Sequence, residues 1–372
     1  MQARRSAGFS RVRDGGFLGA ALCLLGGTVL AQVKPPVAPS DVERATEDEK
    51  ESPWLVVPTA SLNPKLGGSL GFMAAYLHYF DEKSKPSMFG VGGQYTTTES
   101  AIASFFGRAS WDEDRQRAIG MFAAGAIKND YDDYLGTGVP LKTNDQLHAL
   151  VGRYLHRVYG DWFVGVQGTY TDYQLVGESA FDDQVLNVLG LQGFKSGGLG
   201  LSIYHDSRDS ENSPQKGYLL NVNNVAYRDW IAGPENFDVY RVDYRGFLAH
   251  GEGNVLAVRQ FNKLTWDAPP SAYAAVQLRG YKAGQYLGEY MSSLEVEERF
   301  RLAERWTSTL FGGAAIVYGD SPSGSNYDDL FPALGAGVQY VLKPKEGIVV
   351  NLEAAFGKDD NYGVYIKLGY AF

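Results

Sequence analysis

The chain has 372 residues, a formal net charge of −9, 21% charged and 44% hydrophobic residues, 45 Gly and one Cys. The acidic balance excludes a partner held through phosphate contacts, so no nucleic acid is expected. Mean hydropathy is −0.23, which excludes a helical membrane bundle built from several apolar runs of about 20 residues. Abundant Gly together with 13% aromatic residues points instead to strands and turns.

In chain order, residues 1–31 read as a secretory leader. Arg4, Arg5, Arg11 and Arg13 give it a basic start, Phe17 to Leu30 is mostly apolar, and Val29-Leu30-Ala31 offers a cleavage site before Gln32. The apolar run is too short for a membrane-spanning helix. Cys23 lies inside it, so the mature chain is expected to contain no disulfide. Residues 32–53 are rich in Pro, Glu and Asp and poor in aliphatics, the composition of a disordered periplasmic linker.

From residue 54 onward the sequence breaks into strand-like segments. Their spans are 54–61, 68–80, 86–98, 101–111, 117–128, 145–158, 161–175, 196–206, 217–229, 237–249, 253–266, 289–303, 305–318, 331–343, 347–356 and 361–372. Several alternate strictly: Tyr362, Val364, Ile366, Leu368, Tyr370 and Phe372 share one face, and Gly363, Tyr365, Lys367, Gly369 and Ala371 the other. Trp162, Val164 and Val166 likewise oppose Gly165, Gln167 and Thr169, and Tyr240, Val242 and Tyr244 oppose Arg241, Asp243 and Arg245. Segment 253–266 alternates poorly. Alternation alone fits a soluble sandwich as well as a barrel.

Loop lengths separate the two. The longest connections, Asn129 to Asn144, Gln174 to Ser196, Asp267 to Gly288 and Gly319 to Asp329, all follow odd-numbered segments. Connections after even-numbered segments include Asp112 to Asp114, Gly160 and Lys343 to Lys345, all short and polar. Short turns on one rim and long loops on the other are the habit of an outer-membrane barrel. All six tryptophans, Trp54, Trp111, Trp162, Trp230, Trp266 and Trp306, fall at or beside segment ends, as in paired aromatic girdles. The expected fold is all-β, a 16-stranded antiparallel transmembrane β-barrel over residues 54–372. An even strand count leaves no open edge, so every backbone amide in lipid is satisfied.

Two motifs carry a resemblance. One is Asp206-Ser207-Arg208-Asp209 followed by Pro214 and Gly217; the other is Leu278-Arg279-Gly280-Tyr281 followed by Gly284, Gly288 and Glu297-Glu298-Arg299-Phe300. In this order they resemble the barrel of the BamA/TamA-type surface-antigen superfamily. The resemblance implies an outer-membrane location with both termini periplasmic, and a long external loop that folds back into the lumen. In this chain the loop is Asp267 to Gly288, and the resemblance places Arg279 against acidic groups on neighbouring strands. Glu295 and Glu297 alternate with Leu294, Val296 and Phe300, so they face inward and suit a planar guanidinium fork. The resemblance also implies that Gly280, Tyr281 and Arg299 complete that lock, and that Asp206, Arg208, Asp209, Pro214 and Gly217 form a periplasmic turn. Tyr370 and Phe372 would be the C-terminal assembly signal read by the outer-membrane assembly machinery.

Two departures stand out. The superfamily's Phe-x-Asp-x-Gly pattern is replaced by Phe311-Gly312-Gly313-Ala314-Ala315, which implies a looser lock. The stretch before Trp54 is too short for a POTRA domain, the periplasmic module with which family insertases capture clients. The expected role is outer-membrane biogenesis or translocation of protein or lipid, with lipid as a partner and an unknown client; a passive pore or surface antigen is the alternative. The short first segment contains Pro58, which cannot donate to a ladder and suggests a weak seam with the last strand.

Catalysis is not expected. No Gly-x-Ser-x-Gly elbow or metal-ligand cluster occurs, His205 and Asp206 point to opposite faces of a strand, and His148 and His156 stand eight residues apart. Asp130, Asp132 and Asp133 lack the glycine and distal glutamate of a calcium loop and read as a solvated loop. No cofactor or metal is expected. Arg241, Asp243 and Arg245 share a face and read as a charge ladder lining a hydrated lumen.

Overall fold

A computed structural model describes residues 53–63, 67–131, 141–189, 194–210, 213–269, 272–281, 286–320, 329–343, 348–359 and 361–368. Its strands are β1 (Trp54–Asn63), β2 (Gly67–His78), β3 (Ser87–Thr96), β4 (Ala101–Trp111), β5 (Gln116–Tyr131), β6 (Leu141–Tyr159), β7 (Trp162–Gln174), β8 (Phe194–Asp206) and β9 (Gly217–Tyr227). They continue through β10 (Phe237–His250), β11 (Asn254–Trp266), the two-residue β12 (Ala274–Ala275) and β13 (Leu287–Gly288), then β14 (Tyr290–Arg301), β15 (Trp306–Tyr318), β16 (Asp329–Lys343), β17 (Ile348–Gly357) and β18 (Tyr362–Leu368). All except β12 and β13 pair in sequence order as one antiparallel sheet, closed by β1 against β18. The 16-stranded barrel is therefore as expected.

Period-2 alternation decides which way each strand faces. On β8, Leu199, Leu201 and Ile203 are exposed while Ser202 and Asp206 are buried; on β14, Leu294, Val296 and Phe300 are exposed while Glu295, Glu297 and Arg299 are buried. The arrangement is inverted relative to a soluble protein, with apolar side chains outside and polar ones inside. Leu70, Phe72, Phe105, Leu150, Val166, Leu310, Leu334 and Phe356 extend the same exposed apolar belt around the wall. Such a belt is far larger than a soluble monomer carries, and its solvent is lipid.

Because the strands alternate in direction, Trp54, Trp111, Trp162 and Trp306 lie on the rim where β1 begins, here the near rim. Trp266 ends β11 on the opposite, far rim. Trp54 packs on Tyr76, Trp162 on His205 and Trp306 on Tyr340, with ring centroids 5.1, 4.7 and 4.7 Å apart. These pairs form the near-rim girdle.

Two features depart from expectation. The β7–β8 connection holds a helix, α1 (Ala180–Leu189), with Leu186 buried. Its start is a reciprocal cap, in which Ser179 N–H donates to Asp182 (3.1 Å) and Asp182 N–H to the Ser179 hydroxyl (3.2 Å). The near-rim β8–β9 connection is long, running from Ser207 to Lys216. Asp132 and Asp133 of the acidic loop, Tyr370 and Phe372, and the leader and most of the linker (residues 1–52) lie outside the described residues.

Strand β1 pairs with β2 along all of Trp54–Asn63. With β18, among the described residues, it pairs at Ser61↔Tyr365 and Leu62↔Val364. Pro58 lies below that contact.

Candidate functional site

The connection between β11 and β14 turns back into the barrel. β12 and β13 clip its stem through Ala274↔Gly288 and Ala275↔Leu287, and Val276 N–H donates to Tyr286 C=O at 3.1 Å. Below the clip, Ala274, Val276, Leu278 and Tyr281 pack on Phe261, Met291, Ala315, Val317, Phe331 and Ala333 from the barrel wall. This apolar plug brings Arg279 down to the inner surface of β14. Gly280 follows in the left-handed region (φ 96°), pressed so close to β17 that a Cβ would sit 3.1 Å from the Phe356 carbonyl carbon.

Arg279 is 8% exposed, and its guanidinium meets three carboxylates. Nη2 lies 2.9 Å from Glu295, and Nη1 lies 2.7 Å from Glu297 and 3.4 Å from Glu353. The guanidinium stacks 3.4 Å above the Phe311 ring. A buried guanidinium is tolerable only with compensation of this kind. Glu295 and Glu297 are the partners expected for Arg279. Glu353 and Phe311 were not foreseen. Where a carboxylate was missing on β15, Phe311 supplies an aromatic face, and the third carboxylate comes from β17.

The lock extends further. Glu297 accepts from Arg299 Nε at 3.1 Å, and Arg299 Nη1 donates to the Pro214 carbonyl at 2.9 Å. The two sequence motifs, 85 residues apart at that contact, are thus one structure. On the other side Gly280 N–H donates to the Tyr365 hydroxyl on β18 at 3.0 Å. The Tyr281 hydroxyl donates to Pro332 C=O at 2.5 Å and accepts from Lys358 N–H at 2.8 Å.

The Asp206 motif builds the near-rim turn. Arg208 grips Asp206 bidentately at 2.7 and 2.8 Å, and Asp209 accepts from the Gln215 and Lys216 N–H groups at 3.0 and 3.3 Å. Gly217 (φ 91°) starts β9 where a Cβ would strike the Ser207 carbonyl. His205 points away from Asp206 and lies between the rings of Trp162 and Tyr218. Among the described residues no group of side chains has the makings of a metal site.

In the β4–β5 turn, Asp114 accepts a bidentate Arg117 pair at 2.8 and 2.5 Å and Arg157 at 2.7 Å. Burial pushes its carboxyl up, but hydrogen bonds and charge from Arg117 outweigh this and hold it below the ordinary value.

BamA from Haemophilus ducreyi lacking POTRA domains 1–3 matches with a TM-score of 0.53 and 13% identity, covering 86% of this chain and 69% of that one. CdiB from Acinetobacter baumannii matches with a TM-score of 0.56 and 13% identity over 86% of this chain and 59% of its own. CdiB from Escherichia coli matches with a TM-score of 0.59 and 12% identity over 91% and 67%. The chain has the fold of the BamA and CdiB barrels. No family model and no curated protein matches the sequence.

Proposed function

We propose that this chain is an exported outer-membrane barrel that inserts or translocates protein or lipid, working through the β1–β18 seam under control of the lumenal loop. The reading is carried by the Gly280–Tyr365 hydrogen bond, which ties the locked loop to the strand that closes the barrel. Strand β1 adds to it: among the described residues, full pairing on one side and pairing at Ser61 and Leu62 on the other make the seam the least expensive place to part the wall. Both termini then face the periplasm, with residues 1–31 as leader and 32–53 as linker. The barrel's own partners are lipid and the assembly machinery that inserts it, and it acts without enzymatic chemistry.

A disulfide across the seam tests this. Leu62 and Val364 stand directly opposite, so Leu62→Cys with Val364→Cys should crosslink under oxidation. The expected result is depletion of specific proteins or lipids from the host outer membrane or medium, reversed by reductant. An unchanged membrane and medium with the disulfide fully formed would eliminate the seam mechanism and leave a passive pore.

A further inference from the structure

Charge is unevenly distributed around the lumen. On the β14–β17 side, Glu295, Glu297 and Glu353 surround Arg279 and Arg299. Elsewhere around the wall, the inner faces of β6–β11 carry five guanidinium groups, Arg153, Arg157, Arg241, Arg245 and Arg259, and Arg157 pairs with Asp114 at 2.7 Å. Asp243 serves two of them, contacting Arg245 at 2.6 Å and Arg259 at 3.1 Å. The other two are treated differently. Arg153 Nε and Nη2 both donate to the neutral Gln167 Oε1, at 3.0 and 2.6 Å. Arg241 stands opposite Asn223 and Lys263 in the register. Among the described residues neither Arg153 nor Arg241 has a carboxylate partner.

A row of hydrogen-bonded amides holds Arg153 in place. Gln167 Nε2 donates to Asn223 Oδ1 at 2.9 Å and to the Asn224 carbonyl at 2.8 Å, and Leu201 N–H donates to Asn224 Oδ1 at 2.9 Å. The β8–β9 register lapses between Leu199↔Ala226 and Ser202↔Asn223, and at Gly200 a Cβ would strike the Asn224 carbonyl. Two ladder positions in mid-wall are thus given over to side-chain amides that fix Arg153. The row runs from Arg153 through Gln167 to Asn223, which stands directly opposite Arg241 on β10. Two guanidiniums facing one partly enclosed lumen with neutral neighbours favour an anion.

We propose that the inner wall of β6, β7, β9 and β10 is a binding site for a phosphate-type oxyanion, gripped between Arg153 and Arg241. Two planar forks match a tetrahedral group with several oxygens, whereas a monocarboxylate fills one fork. The site is independent of whether the seam opens.

The test uses the full chain purified in mild detergent. Inorganic phosphate titrated by calorimetry should bind the wild type saturably. Arg153→Gln with Arg241→Gln should weaken that binding by about tenfold or more, the scale of losing charge-assisted hydrogen bonds. Lys195→Gln, which removes a charge from an exposed side chain at the far end of β8, should leave it unchanged. Mass spectrometry of co-purified lipid separates two sources. Phospholipid retained by the wild type, lost from the double variant and displaced by phosphate identifies a lipid headgroup; phosphate binding with equal lipid in both identifies a free oxyanion. No saturable binding by the wild type, or equal binding by a double variant that keeps the wild-type heat-modified gel shift, overturns the proposal.

Discussion

At the scale of single residues, the lock is a buried cation whose value lies in what surrounds it. Removing Arg279 strands Glu295, Glu297 and Glu353 beside one another with most of their compensation gone. Arg279→Ala should therefore destabilise the barrel by about 3–5 kcal/mol, read as a lowered urea midpoint in detergent. It should also free the plug, raising single-channel conductance in planar bilayers; unchanged conductance would mean that Arg279 does not hold the loop. Arg279, Glu295 and Glu297 were readable from sequence because one motif and one alternating strand suffice to place them. Glu353, Phe311 and Tyr365 were not. Glu353 does lie on the inward face, between buried Asn351 and Ala355, but nothing in a single sequence says that β17 stands within reach of a loop 74 residues earlier.

At the scale of elements, most strands were legible because each must present apolar side chains to lipid and polar ones to the lumen. β11 was the least regular, for a physical reason: Val255, Ala257 and Phe261 face inward, Phe261 beneath the plug and Val255 and Ala257 against Phe247, so part of its inner face is apolar too. Helix α1 was missed although Ser179 and Asp182 have the spacing of a cap, because its Gly-bounded stretch read as an ordinary long loop. The near-rim turns carry a pH dependence. Asp112, Glu113 and Asp114 all adopt positive φ (60, 56 and 61°), a strained run held by the bonds of Asp114 to Ser110, Arg117 and Arg157. Since Arg117 holds the folded Asp114 carboxyl below the ordinary carboxylate range despite its burial, its contribution is complete above that range and disappears as pH falls through the folded value. Unfolding midpoints should drop between pH 5 and about 2, and Asp114→Asn should reduce the drop; identical pH profiles would remove Asp114 from the cause.

At the scale of the whole molecule, closure in lipid replaces the buried apolar core of a soluble domain. The mature chain should require detergent to stay in solution, give strand-dominated circular dichroism, and migrate faster on a gel before boiling than after. A detergent-free soluble monomer would contradict the outward-facing belt. The partners of Arg279, Gly280 and Arg299 also set a schedule for assembly. Glu295 and Glu297 arrive with the next strand, but Glu353 and the Tyr365 hydroxyl belong to the final hairpin, and Pro214 waits at the opposite rim from much earlier. The latch therefore cannot be thrown until the polypeptide is essentially complete, so a seated plug certifies that every stave of the cylinder is in place.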